Sequence, residues 1–124
     1  KIIFATSPLS VEAVKIGRYL GCEKWKIGSG EVFSNRIINE ILKKKDDGLI
    51  ISSGMSTWID LEKNYRFIRK KKGKNFGMLQ CTTEYPSSIK KVGLNVITDM
   101  KLSYRLIRSY RLNISINSRF KFRC

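Results

Sequence analysis

No histidine occurs anywhere in the 124 residues. That removes the commonest side-chain ligand of transition metals and the usual general base at neutral pH. Cys22, Cys81 and Cys124 form no Cys-x-x-Cys pair and leave one thiol odd, so neither a zinc knuckle nor a disulfide framework is implied. A reducing, cytoplasmic setting is expected instead. Apolar runs are short: none approaches the ~20 residues of a membrane span. Lys1-Ile2-Ile3-Phe4-Ala5 is too brief for the apolar region of a signal peptide. No membrane partner is expected. Acid is also scarce, with Asp+Glu 10 against Lys+Arg 25 and a net charge of +15.

A charge of that size raises nucleic acid as a partner. The distribution argues against it. Lys43 to Lys45 and Lys70 to Lys72 each close a helix-like segment, where cations suit the negative end of the helix dipole, and no aromatic residues interleave with them. The hydrophobic content of 42% is enough for a core, and the length fits one domain.

Read in order, the chain alternates apolar runs with helical periodicity. Ile2 to Ala5 is a short strand closed by Thr6-Ser7-Pro8, and Ser10 can cap a helix to about Leu20, with Val14 inward and Gly21 as a stop. Lys24 to Ile27 is a second strand. Asn35 can cap a helix whose Ile37, Ile38, Ile41 and Leu42 share a face, broken by Asp46-Asp47-Gly48. Leu49 to Ile51 is a third strand. Thr57 and Asp60 form a capping box for a helix with Trp58, Leu61, Tyr65 and Ile68 on its inner face, ended by the lysine run and Gly73. Phe76 to Cys81 is a fourth strand, and Leu94 to Tyr104 is weakly helical. Such alternation implies parallel strands joined by right-handed crossovers.

Each strand runs into a polar or glycine-rich cluster. Lys26-Ile27-Gly28-Ser29-Gly30-Glu31 supplies an ammonium, a hydroxyl and a carboxylate, with glycines that let the backbone come close to an anion. Ser52-Ser53-Gly54-Met55 and Thr82-Thr83-Glu84-Tyr85-Pro86 occupy the same position after later strands. Active-site residues sit there in a (β/α)₈ barrel and in an open doubly wound sheet. A barrel takes ~250 residues, so the residues alone leave two readings: a small open sheet, or a piece of a barrel.

Taken together, the strand ends resemble the sialic acid synthase family, the phosphoenolpyruvate-dependent enzymes that make N-acetylneuraminate and related nonulosonic acids. Phe4-Ala5-Thr6-Ser7-Pro8-Leu9-Ser10 is similar to Phe-x-Ser-Thr-Pro-Phe-Ser, and Lys26 to Glu31 to Lys-Ile-x-Ser-Gly-Glu. Leu49 to Met55 is similar to Ile-Leu-Ser-Thr-Gly-Met, and Met78 to Pro86 to Leu-Leu-His-Cys-Thr-x-x-Tyr-Pro. The resemblance implies an α/β fold, a partial TIM (β/α)₈ barrel of about strands three to six over residues 1–104. It implies that Lys26, Ser29, Ser52, Ser7 and Thr83 grip phosphoenolpyruvate, that Glu31 is the catalytic carboxylate, and that Tyr85 meets an N-acetylated amino sugar.

Ser7 stands where the family has Thr, Thr83 where Asn or Ser is common, and Gln80 where the motif has His. The family's Mn²⁺ or Mg²⁺ is held by two histidines from later segments that have no counterpart here, so no metal or other cofactor is expected on this chain. A homodimer is implied for the parent family, and an isolated piece is expected to be inactive. Residues 105–124 lack any acid and hold five of the nine arginines. They read as a divergent basic tail of the kind a frameshift produces, or as a basic arm for nucleic acid. Two rival readings of the whole remain, a small basic nucleic-acid-binding module and a fragment of another phosphate-binding barrel lyase.

Overall fold

In a computed structural model, which describes residues 3–72 and 76–104, the chain forms one four-stranded parallel sheet in the order β1-β2-β3-β4. The strands are β1 (Ala5–Thr6), β2 (Lys24–Ile27), β3 (Gly48–Ser52) and β4 (Phe76–Leu79). Between and after them run α1 (Val11–Tyr19), α2 (Asn35–Leu42), α3 (Trp58–Lys72) and α4 (Leu94–Tyr104). Chain order and spatial order coincide, as expected of successive βα units.

The strands alternate, and the alternation sorts chemistry. Trp25 and Ile27, Leu49 and Ile51, and Phe76 and Met78 are buried together with Val14, Ile37, Ile38, Ile41, Leu61, Ile68 and Met100 from the helices. One sheet face is therefore sealed by all four helices. Each large side chain buried there contributes on the order of 1.5–3 kcal/mol. The opposite face carries Lys24 and Lys26 of β2 and Ile50 of β3, all exposed.

Local signals explain most boundaries. Ser10 Oγ accepts the Ala13 amide at 3.0 Å and starts α1, and Gly21, at φ +82, ends the turn that follows it. The capping box is complete: Thr57 donates N–H to Asp60 Oδ2 at 3.1 Å, and Asp60 N–H donates back to Thr57 Oγ1 at 3.2 Å. Four expectations shift. The first strand is Ala5–Thr6, because pairing with β2 begins only at Ala5–Lys24, and Ile2 lies outside the described residues. Ser34, not Asn35, is the N-cap of α2, without a side-chain hydrogen bond. The fourth strand stops at Leu79, since the Cys81 amide donates to Ser53 Oγ at 3.2 Å rather than along the ladder. Trp58 is 45% exposed, because as the first residue of α3 it precedes the turn that reaches the core.

At the amino end of the strands lies a charged cluster. Asp47, 1% exposed, accepts the Trp25 indole N–H at 2.8 Å, with Arg18 at 3.6 Å and Lys44 at 3.7 Å. Lys43 pairs with Glu40 at 2.7 Å, and its hydrogen bond is the main reason the Glu40 carboxyl titrates below its ordinary range. Lys71 donates to Asn39 and lies over the Phe67 ring. Several lysines of the two runs are thus occupied within the fold. Gly73 and residues 105–124, tail and basic arm alike, lie outside the described residues.

Candidate functional site

The carboxyl ends of the strands gather the polar clusters. Lys26 pairs across the sheet with Ile50, and Ile50 with Gly77, so these three form one row on the open face. Ser7 follows Thr6, whose partner Trp25 precedes Lys26, which puts Ser7 level with that row. Two residues toward the carboxyl end, Ser52 pairs with Leu79. By the period of two along β3, Ser52 shares the face of Ile50.

Ser52 is 0% exposed, and its Oγ has no hydrogen-bond partner among the described residues. A buried hydroxyl left without a partner costs free energy, and such groups call for an explanation. Here the hydroxyl sits two residue positions beyond the row of an exposed lysine, at the end of the strands where ligands bind in parallel α/β folds.

Ser29 opens a short 3₁₀ turn, Ser29–Glu31, directly after β2. Its Oγ lies 2.6 Å from where a Cβ on Gly54 would stand, and the Cys81 Cβ lies 3.3 Å from the same point. Glycine at 54 therefore lets three strand-end loops close on one another. Ser53 binds sideways: its N–H donates to Leu79 O at 2.8 Å and its hydroxyl to Gln80 Oε1 at 3.0 Å. Met55 holds a left-handed φ of 63°, a conformation that costs a non-glycine residue on the order of 1–3 kcal/mol, at the tip of this loop.

The remaining residues are looser. Glu31 is half-buried, its amide donating to Gly28 O at 3.0 Å. Ser7 and Thr83 are exposed, and Tyr85 is 89% exposed beside the cis Tyr85–Pro86 bond. Among the described residues no hydrogen bond or ion pair joins Ser7, Lys26, Glu31, Thr83 or Tyr85 to one another. The site is thus a constellation around a tight Ser29, Gly54 and Cys81 contact, with the other groups arrayed about it. Sequence reasoning missed Ser53 and Gln80 as bonding partners. Their signal was the residue parity, which puts Ser53 on the face opposite Ser52.

The sequence has no histidine, and among the described residues no three His, Cys, Asp or Glu side chains cluster closely enough to hold an ion. No helix among them is long and apolar enough to cross a membrane.

A one-directional parallel sheet, helices on its outer face and polar groups at the carboxyl ends define part of a TIM-type barrel. Two solved structures match it. The N-acetylneuraminic acid (sialic acid) synthetase of Leptospira borgpetersenii, in complex with citrate, superposes with a TM-score of 0.77 at 24% identity, over 83% of this chain and 35% of that one. The spore coat polysaccharide biosynthesis protein of Bacillus subtilis gives 0.77 at 17%, over 84% and 29%. The chain belongs to the NeuB family, whose profile matches residues 1–110. It is 31% identical to the N,N'-diacetyllegionaminic acid synthase of Campylobacter jejuni over 88% of this chain and 33% of that protein. To the human N-acetylneuraminate-9-phosphate synthase it is 34% identical, over 79% and 27%. It therefore spans about a third or less of the length of these relatives.

Proposed function

We propose that this chain carries part of the catalytic barrel of a phosphoenolpyruvate-dependent nonulosonic acid synthase of the N-acetylneuraminate type, in a cytoplasmic setting. Lys26, Ser29 and Ser52, with Ser7 and Thr83, receive phosphoenolpyruvate. Glu31 handles a proton near the reacting carbons, and Tyr85 lies toward the N-acetylated amino sugar. The parent reaction joins the two substrates through a new C–C bond and releases phosphate by C–O cleavage. No step is assigned to a metal here.

The observation that carries this reading is the buried Ser52 hydroxyl, unpartnered among the described residues, on the same face as the Lys26 ammonium. Phosphoenolpyruvate brings two oxoanions, and an ammonium with hydroxyl donors is the matching chemistry. Calorimetric titration with phosphoenolpyruvate tests it. Saturable binding is expected, lost in Lys26→Ala and weakened about tenfold in Ser52→Ala, the scale of one charge-assisted hydrogen bond. Equal affinity in all three chains would remove the assignment.

A further inference from the structure

Ser53 and Ser52 are neighbours with opposite fates. Ser53 is 6% exposed and every polar group it owns is engaged. Its N–H reaches Leu79 O at 2.8 Å, its hydroxyl donates to Gln80 Oε1 at 3.0 Å and accepts from Cys81 N–H at 3.2 Å, and its carbonyl accepts from Ser56 N–H at 3.1 Å. Ser52 Oγ has no hydrogen-bond partner among the described residues. In extended backbone, consecutive side chains point to opposite faces. Ser53 shares the face of Ile51, and fixing it there through Gln80 and Cys81 fixes Ser52 on the face of Ile50.

Gln80 is itself held in place. Its amide nitrogen sits 3.1 Å from where a Cβ on Gly93 would stand. Gly93 has a φ of +67 and its carbonyl accepts the Val96 amide at 3.0 Å at the start of α4. A side chain at 93 would press on the carboxamide and strain the backbone. The tie thus runs from the end of β3, through Ser53 and Gln80, to the entry of the last helix.

We propose that Ser53 and Gln80 are positioning residues for the oxoanion site, holding the Ser52 hydroxyl toward the ligand by locking the carboxyl end of β3 to that of β4. This rests on the reading of Lys26 and Ser52 given above. Neither residue touches the ligand. A fixed donor loses less freedom on binding than one that can rotate into the helix layer, so the tie contributes through pre-organisation.

Phosphoenolpyruvate titrations of the chain, paired with thermal melts, test the proposal. Ser53→Ala and Gln80→Leu are each expected to weaken binding about fivefold to tenfold. Ser53→Thr and Gln80→His keep a hydroxyl and an acceptor, and are expected to bind within about twofold of the parent. Asp47→Asn perturbs the other end of the sheet; it is expected to lower the melting temperature and leave affinity unchanged. That separates a loss of geometry from a loss of stability. If Lys26→Ala loses binding while Ser53→Ala and Gln80→Leu bind as the parent does, the positioning role is overturned and the site reading stands. If affinity falls in Asp47→Asn as far as in Ser53→Ala, the tie is only structural and the proposal fails. If the parent chain does not bind, or Lys26→Ala binds equally, the site reading falls and takes the proposal with it. Should Ser53→Ala not fold, binding by Ser53→Thr against its loss in Gln80→Leu decides the question.

Discussion

The Trp25 indole N–H donates to Asp47 Oδ2 at 2.8 Å, and both residues are 1% exposed. This bond joins the start of β3 to the core face of β2 at the end of the sheet remote from the polar clusters. Removing the carboxylate leaves a buried indole donor unpaired and strips Arg18 and Lys44 of a partner. Asp47→Ala is expected to lower stability by about 2–3 kcal/mol, read as a lower denaturant midpoint with an unchanged m-value. Trp25→Phe, which removes the donor and leaves Asp47 its cations, should cost less than Asp47→Ala. The reverse order would show that the indole's packing, not its hydrogen bond, dominates.

Gly17 sets two familiar effects against each other. Inside a helix, glycine to alanine ordinarily gains roughly 1 kcal/mol. A Cβ here would stand 2.8 Å from Trp25 Cη2 and 3.0 Å from Cζ3. The indole is buried and tied to Asp47, so it cannot swing aside. Gly17→Ala is therefore expected to destabilise by about 1–3 kcal/mol, as overpacked cores do. A raised melting temperature would mean that α1 lifts off β2 without loss.

Much of this was legible in the sequence because local and tertiary signals agree. The buried faces of α2 and β2 follow from spacing alone, and the Ser10 cap and the Thr57–Asp60 box from residue type. What spacing hides is which way polar residues turn. Asp46-Asp47-Gly48 reads only as a helix breaker, yet Asp47 is buried and accepts the Trp25 indole N–H from one strand away. Trp58 reads as core by periodicity and is half-exposed, because a helical period says nothing of where the helix first meets the sheet. Lys26 and Ser52 lie within the last residues of β2 and β3, and Ser29 and Glu31 in the turn after β2, but the contacts among these residues depend on loops, whose conformation no periodicity encodes.

Asp60 makes the start of α3 sensitive to pH. Its carboxyl titrates below the ordinary aspartate range chiefly because Thr57 donates to it from its hydroxyl and then its amide. A carboxyl depressed in the folded state adds stability that is present above its unfolded pKa and is lost as pH falls through the folded value. Acidification from pH 5 toward pH 2 should therefore weaken the native chain more than it weakens Asp60→Asn. Matching acid profiles for the two chains would show that the box contributes nothing to folding. Salt should alter this little, since hydrogen bonds rather than distant charges cause the shift.

The last expectation concerns turnover. Phosphate and carboxylate can be gripped by Lys26 and serine hydroxyls, but condensation also needs the sugar aldehyde made electrophilic. The resemblance implies a divalent metal held by two histidines for that activation, and this sequence contains no histidine. Electrophilic activation by a metal is worth several kcal/mol, and each ~1.4 kcal/mol is tenfold in rate. A chain that binds phosphoenolpyruvate should therefore still fail to react it. Purified chain given phosphoenolpyruvate, N-acetylmannosamine and Mn²⁺ is expected to release no phosphate above a no-protein control, measured by a colorimetric phosphate assay and by mass spectrometry of the sugar acid. Phosphate release that depends on both substrates and disappears in Lys26→Ala would show that the side chains present suffice for activation, with Glu31 the first group to examine.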